Sequence, residues 1–231
     1  MLHATDGPMA ARQKERNMSI AILGAGNMAK GLAGLFAKAG YDVVLGARDV
    51  AKARAAAASV GHGAAGADLA AAAKSADVIV LAVPYDAAAA ALAAAGDLAG
   101  KTIVDITNPL TPDYMGLTIG HATSAGEEIQ KLAPRAKVVK AFNTIFAQVL
   151  ANGGRAAGRP ATVFVAGDDD AANGAVEAIA RKAGFDVVQT GALKLARYLE
   201  PLAGLNIALA YGRGLGTDIA PTWNVAPAKA A

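Results

Sequence analysis

The stretch that decides the fold is Met18-Ser-Ile-Ala-Ile-Leu-Gly-Ala-Gly-Asn-Met-Ala-Lys-Gly31. It predicts a short apolar strand that runs into a glycine-rich turn, followed by the start of an amphipathic helix. Such a turn presents backbone N–H groups and the positive end of a helix to a pyrophosphate. Gly24 permits the tight turn, Gly26 leaves room for phosphates, and Ala29 stands where the usual fingerprint has its third glycine. The alternative is a turn with a purely structural role. The predicted dinucleotide-binding residues here are Gly24, Ala25, Gly26, Asn27 and Met28.

The end of the second predicted strand, residues 41–46, indicates which dinucleotide binds. An NAD enzyme usually has Asp or Glu at this place, about 20 residues after the glycines, to bind the ribose 2′-hydroxyl. Here the chain has Gly46, Ala47 and Arg48. Arg48 offers a planar cation that suits a 2′-phosphate, and Lys52 adds a second cation one helical turn later. The pattern therefore favours NADP over NAD. In the alternative interpretation Arg48 is solvated and Lys52 pairs with Asp49, the expected N-cap of the next helix.

Composition limits the class of protein. The 231 residues carry 22 Lys and Arg against 19 Asp and Glu, and 54% are hydrophobic. No basic run with interleaved aromatic residues points to nucleic acid, and no apolar run is long enough for a membrane span. The absence of cysteine excludes disulfides and thiolate catalysis. We therefore predict a cytoplasmic protein without nucleic-acid or membrane partners, in which the polar residues 1–17 form a disordered extension.

Alternating strand and helix patterns run from residue 18 to the C-terminus. Runs such as 77–83, 101–107 and 137–141 are typical of strands buried on both faces of a parallel sheet. The alternation predicts an α/β fold, a Rossmann-like, doubly wound, mostly parallel sheet. We expect one NADP-binding domain, 18–231, with a small C-terminal α/β and helical extension from about residue 185, and an exposed loop at 152–160. The apolar helix predicted at 193–211 suggests a homodimer interface.

Ligands of an open α/β sheet bind at the carboxyl ends of its strands. The predicted cofactor-binding residues at the later strand ends are Val83, Pro84, Tyr85, Asn108, Ala141 and Asn143. For Tyr85 the alternative is a simple helix start, and for the two asparagines it is the fixing of a loop. No acid–base constellation and no metal site is predicted. The acidic run 168–170 indicates the N-terminus of a helix. Hydride transfer between two rings held face to face needs no protein acid or base.

These segments together resemble the coenzyme F-420-dependent NADP oxidoreductase family, and they are similar to the cytosolic nucleotide-binding domain of the STEAP-type metalloreductases. The matching segments run in family order over nearly all of the chain from residue 18 to about residue 219. They are Gly-Ala-Gly-Asn-Met at 24–28, Gly-Ala-Arg-Asp at 46–49 with Lys52, Val-Pro-Tyr at 83–85, Lys-Ala-Phe-Asn-Thr at 140–144, Gly-Asp-Asp-Asp at 167–170, Ala-Arg-Tyr-Leu-Glu-Pro-Leu at 196–202 and Leu-Asn-Ile at 205–207.

The resemblance implies an enzyme that transfers a hydride between NADP(H) and a deazaflavin (F-420) or flavin-like small-molecule acceptor. It implies that Ala47 replaces a Ser or Thr beside the 2′-phosphate. The loops near Asn108 and Asn143 and the last helix then shape the pocket of the second substrate. Phe-Asn-Thr at 142–144 replaces the His-Thr of some deazaflavin enzymes. Alternatives are an NADPH-dependent metal or flavin reductase, a reductase of a small carbonyl or imine, and a non-catalytic NADP(H) sensor.

Overall fold

The structure is a computed structural model that describes residues 18–223. The predictions made for residues 1–17, and the end of the predicted extension at 224–231, lie outside these residues. The strands are β1 Ser19–Leu23, β2 Asp42–Gly46, β3 Ala65–Ala67, β4 Val78–Leu81, β5 Thr102–Asp105, β6 Lys137–Lys140, β7 Arg155–Ala156, β8 Arg159–Pro160, β9 Thr162–Gly167 and β10 Asp186–Gly191. The helices are α1 Asn27–Lys38, α2 Val50–Val60, α3 Leu69–Ser75, α4 Ala88–Ala95, α5 Ala125–Leu132, α6 Ala147–Ala151, α7 Asp170–Lys182 and α8 Ala196–Ile207.

Eight strands form one sheet in the order β10-β9-β6-β5-β4-β1-β2-β3. All neighbouring pairs are parallel except β6 and β9, so the last two strands run against the other six. The chain winds outward from β1 in one direction to β3 and in the other direction, through β4, to β6. The topological switch point therefore lies at the carboxyl ends of β1 and β4. The prediction of a Rossmann-like, mostly parallel sheet is confirmed, and β10 lies in the same sheet as β1.

Strand side chains alternate between two cores, one on each face of the sheet. Ile20 and Ile22 of β1 face the core beneath α1, α2, α6 and α7. Ala21 and Leu23 face the core beneath α3, α4 and α5. Both faces of the sheet are covered, and central strands such as β1 and β4 are accordingly almost entirely apolar, as expected for parallel sheets. The alanine-rich helices lie close to the sheet: a Cβ on Gly46 would meet the Cβ of Ala72 in α3 at 2.8 Å.

Two local predictions need correction. The segment 152–160 is not a plain loop, because β7 and β8 pair as a short antiparallel hairpin in which Arg155 donates to the carbonyl of Gly158. The apolar segment 193–211 is not a single α-helix. It begins as a 3-10 turn at Leu193–Leu195, continues as α8 and ends as a π-helical turn at Ala208–Gly212. The π-helical turn shifts the register of the last apolar side chains.

Candidate functional site

The glycine turn lies where the sequence predicts it, between β1 and α1. Gly24 has φ +142°, and a Cβ there would meet the carbonyl oxygen of Ala82 at 2.2 Å, so only glycine fits. Its N–H donates to the carbonyl of Gly46 at 2.8 Å, which ties the turn to the end of β2. Gly26 differs, because a Cβ at that position would have no protein atom within 4 Å. The space beside Gly26 is therefore open from the backbone outward.

Helix α1 begins at this turn without a side-chain cap or an acidic residue in its first turn. Asp49, Asp68, Ser124 and Asp169 cap α2, α3, α5 and α7, whereas α4, α6 and α8 lack a side-chain cap as α1 does. The first N–H groups of α1 thus face the space beside Gly26 with no side chain of their own to satisfy them. An uncapped helix start next to an open glycine suits a diphosphate, so the residues present fit the predicted dinucleotide.

Arg48 lines a pocket of about 170 Å³ together with Gly24, Gly46, Ala47 and the start of α4. Its side chain is exposed and forms no ion pair with any residue between 18 and 223. Asp49 is the N-cap of α2, as predicted: its Oδ1 accepts from the N–H groups of Ala51 and Lys52 at 2.9 and 3.3 Å. The carboxylate of Asp49 is occupied there, which leaves Arg48 as the charged group at the end of β2.

A larger cleft of about 750 Å³ adjoins this pocket, and Val83 and Pro84 line both. The cleft extends over the glycine turn to the ends of β4 and β5 and to the loop 110–118. Its lining includes the predicted residues Gly26, Asn27, Met28, Val83, Pro84, Tyr85 and Asn108. Among the described residues that line it there is no histidine, lysine or cysteine. The two cavities together form one path from the end of β2 to the end of β5.

Asn108 and Asn143 meet, although they follow different strands. Nδ2 of Asn143 donates to Oδ1 of Asn108 at 3.0 Å and to the carbonyl of Leu199 in α8 at 2.9 Å. Nδ2 of Asn108 donates to the carbonyl of Asn143 at 2.8 Å. Asn143 is buried, as is Ala141 beside it, whereas Asn108 reaches the cleft. In this structure the amide of Asn143 holds two loops and α8 together.

A buried ion network lies behind Asn108, and the sequence did not lead us to assign it a role. Lys140 at the end of β6 is fully buried, and its Nζ is 2.8 Å from both Oδ2 of Asp105 and Oε1 of Glu200. We call Lys140, Asp105 and Glu200 the Lys140 network. Asp105 and Lys140 are charged residues at the ends of strands whose immediately preceding residues are apolar, and this pattern distinguishes them in the sequence. Glu200, in contrast, sits in α8 and joins them only through tertiary packing.

Opposing effects act on the pKa of Lys140. Burial lowers it, but the negative charges of Asp105 and Glu200 and hydrogen bonds to them outweigh burial and raise the pKa above its ordinary value. Burial also raises the pKa of the Tyr85 phenol in the cleft, so this group is protonated at neutral pH. The carboxylates of Glu128, Glu200 and Asp105 raise it further, while Lys140 opposes them.

Two further findings bear on the class of protein. Within residues 18–223 no group of three or more His, Asp or Glu side chains is arranged to hold a metal ion. The run at 168–170 instead serves structure: Asp169 caps α7, and Oδ1 of Asp168 accepts from the N–H of Leu193 at 2.9 Å. No helix in the described part of the chain has both the length and the apolar character of a membrane span.

Comparison with known proteins gives consistent matches. The sequence model of the NADP oxidoreductase coenzyme F420-dependent family matches residues 19–109. The F420-dependent NADP reductase of Methanothermobacter thermautotrophicus is 33% identical over 208 residues, which cover 83% of this chain and 89% of that protein. Metalloreductase STEAP3 of Rattus norvegicus is 32% identical over 198 residues, 86% of this chain, but this chain spans only 38% of its length. A solved structure from Arthrobacter sp. FB24, assigned as an F420-dependent NADP reductase, is 36% identical with a TM-score of 0.78 and covers 87% of this chain and 97% of that one.

The doubly wound sheet, the uncapped glycine turn and the two adjoining cavities define a Rossmann-type dinucleotide-binding protein of the NADP-dependent oxidoreductase class. Identity and coverage then place it further: the chain belongs to the coenzyme F420-dependent NADP oxidoreductase family.

Proposed function

We propose that this protein transfers a hydride between the nicotinamide of NADP(H) and a small-molecule acceptor of the deazaflavin (F420) type. The observation that carries the proposal is the continuous path formed by the two cavities, which begins at Arg48 and ends beside Thr107 and Asn108. The names of two relatives, one of which this chain matches over 89% of its length, support the choice of acceptor.

The residues along this path suit the parts of NADP(H) in order. Arg48, with Lys52 one turn further on, would bind the 2′-phosphate beside Ala47. The N–H groups at the start of α1 and the open side of Gly26 would hold the diphosphate. Val83 and Pro84, which line both cavities, and Tyr85, which lines the larger cleft, would then contact the nicotinamide half.

When bound, the dihydronicotinamide supplies a hydride, that is, a proton with two electrons. The chain's own task is to hold the two rings in contact and to keep water out. The cleft suits this task because much of its lining is apolar, including Met28, Ile106, Leu110 and Pro112. Its volume of about 750 Å³ leaves space for a second ring system beside the nicotinamide. We assign no protein acid or base to the hydride transfer itself; the proton that completes reduction of the acceptor comes from solvent after the rings separate.

We also propose a homodimer that forms through the segment 193–211. Several large apolar side chains of this segment face solvent: Tyr198 is 73% exposed, Leu205 56% and Tyr211 64%. Tyr211 further lines an apolar pocket of about 550 Å³ with Met115, Phe146 and Ile207. Exposed apolar patches of this kind mark interaction surfaces. Sedimentation at working concentration that gives only the monomer mass would rule out the dimer. A cytoplasmic location stays a prediction.

The test of the activity is NADPH oxidation by the purified protein, followed by the loss of NADPH absorbance. A deazaflavin of the F420 type is compared with FMN, a ferric chelate and a cyclic imine at matched concentrations. Fast, saturable turnover with the deazaflavin alone supports the proposal. Turnover with FMN and iron instead would move the chain to the metalloreductase alternative, and turnover with the imine to the imine reductase alternative. Tight NADPH binding without any turnover would support the sensor alternative.

A further inference from the structure

The Lys140 network lies directly behind the wall of the cleft. Thr107, which lines the cleft and is 3% exposed, is attached to the network at both ends of its backbone. Its N–H donates to Oδ1 of Asp105 at 2.8 Å, and its carbonyl accepts from Nζ of Lys140 at 2.5 Å. One residue therefore separates the buried charges from the space where we place the nicotinamide.

The hydrogen bonds determine the charge of the network. Nζ of Lys140 donates to Asp105, to Glu200 and to the carbonyl of Thr107, which uses all three ammonium protons. The two carboxylates receive only donors. Those donors are Lys140 for both, the N–H of Thr107 for Asp105, and the N–H groups of Ala125 and Gly126 for Glu200. Two carboxylates and one ammonium leave a formal charge of −1.

Stability alone does not account for this arrangement. Replacing a buried ion pair by apolar side chains of similar volume is often neutral or stabilising, because taking charges out of water is costly. Here three charged side chains are 0 to 1% exposed, and one negative charge is left over. The N-terminal dipole of α5 offsets part of that charge through Ala125 and Gly126 but does not neutralise it.

The excess charge acts on the cleft. Tyr85 lines the cleft shortly after β4, and its phenol pKa is raised by burial and by the carboxylates of Glu128, Glu200 and Asp105, while Lys140 opposes them. The groups behind the wall and the groups in the cleft thus interact electrostatically. Of the two forms of the nicotinamide, only the oxidised ring carries a positive charge, so a negative potential in the cleft favours that form.

We propose that Asp105 and Glu200 tune the cofactor: their charge stabilises bound NADP⁺ relative to bound NADPH and so makes bound NADPH a stronger hydride donor. The inference rests on the part of the proposed function that places the nicotinamide in the cleft, and it does not depend on which acceptor is used. Asp105 and Glu200 act here as positioning and electrostatic residues that do not touch the cofactor.

The test compares the dissociation constants of NADP⁺ and NADPH in two charge-neutralising variants, Glu200→Gln and Asp105→Asn. With one unit charge at a distance on the order of 10 Å and an effective dielectric constant of about 20 to 40, the ratio of the NADP⁺ constant to the NADPH constant should rise about 4- to 16-fold. The matched control is Asp97→Asn, an exposed carboxylate that pairs with Arg135 at 2.9 Å before β5. This control should leave the ratio unchanged.

A ligand without nicotinamide separates electrostatics from structural damage. The 2′-phosphate of 2′-phospho-ADP-ribose and its diphosphate use the same sites, so its affinity should stay within about twofold in both variants, because the ring that senses the charge is absent. Equal losses for NADP⁺, NADPH and 2′-phospho-ADP-ribose, or an unchanged ratio in both folded variants, would overturn the inference. A wild-type protein that binds neither nucleotide would remove the proposed function itself and the inference with it. A wild-type protein that binds both but reduces no deazaflavin would remove only the acceptor.

Discussion

Replacement of Arg48 by alanine is the sharpest test of the nucleotide assignment. Arg48 lines the pocket at the end of β2, is exposed and forms no ion pair with residues 18–223. Its removal should therefore cost the fold little, as is usual for surface substitutions without partners. What the variant loses is the planar cation beside the proposed 2′-phosphate site. We expect weaker NADPH binding and nearly unchanged NADH binding.

The magnitude follows from the exposure of the side chain. Hydrogen bonds to charged groups contribute about 1.5 to 3 kcal/mol, and the lower end applies where water screens the pair. The dissociation constant for NADPH should therefore rise about 10- to 30-fold in Arg48→Ala, since about 1.4 kcal/mol corresponds to a factor of ten. The dissociation constant for NADH, which lacks the 2′-phosphate, should change by less than about twofold.

The assay is titration of the purified proteins with NADPH and NADH at two salt concentrations. In the wild type, higher salt should weaken NADPH binding more than NADH binding, and Arg48→Ala should reduce that difference. Arg54→Ala is the matched control, because Arg54 is an exposed arginine of α2 that does not line the pocket. Equal losses for NADPH and NADH, or an equal effect of Arg54→Ala, would remove Arg48 from this role.

Four further predictions concern the turn and the buried lysine. Gly26→Val should keep wild-type stability, since a Cβ at this position meets no protein atom within 4 Å, but should lose NADPH binding because the side chain would occupy the proposed diphosphate space. Gly24→Ala should lower the unfolding temperature itself, because its Cβ would lie 2.2 Å from a carbonyl oxygen. NADPH affinity retained by Gly26→Val would refute the turn as the diphosphate site. Lys140→Met should lower the free energy of unfolding by about 3 to 5 kcal/mol in denaturant titrations, because it leaves two buried carboxylates unpaired. Lys137→Met, on the same strand, breaks a partly exposed pair with Asp169 at 2.9 Å and should cost less than about 1 kcal/mol. Similar costs for both variants would contradict the argument. Because folding raises the pKa of Lys140, its charge contributes its full stability below about pH 10.4, the ordinary lysine pKa. The free energy of unfolding, measured against pH, should therefore fall above that value. A flat profile there would be inconsistent with a charged Lys140.

Local chemistry made much of the fold predictable. The apolar strands could be located because a sheet covered on both faces needs continuous apolar runs. The start of α2 at Asp49 followed from capping preferences and is confirmed. The hairpin at Arg155–Pro160 was missed because its two strands are only two residues long and carry no alternating pattern. The π-helical end of 193–211 has no sequence signature either.

Some parts of the candidate site could be predicted from the sequence more completely than others. The turn and Arg48 follow one another within one βαβ unit, so the sequence order itself brings them together. Asn108 and Asn143 were each marked by a strand end, but their mutual hydrogen bonds depend on how two loops pack. The Lys140 network joins β5, β6 and α8 across 95 residues of chain, and no local pattern pairs them.

The sequence by itself determined the layered α/β fold, the glycine turn and the cation at the end of β2. The reason is that strand periodicity, capping and the geometry of a tight turn are properties of neighbouring residues. Only the tertiary structure decided that the Lys140 network lies behind Thr107, and that the amide of Asn143 joins two loops to α8. Those contacts arise from the packing of distant segments at one edge of the sheet, where burial turns an isolated lysine and two isolated carboxylates into a single interacting group.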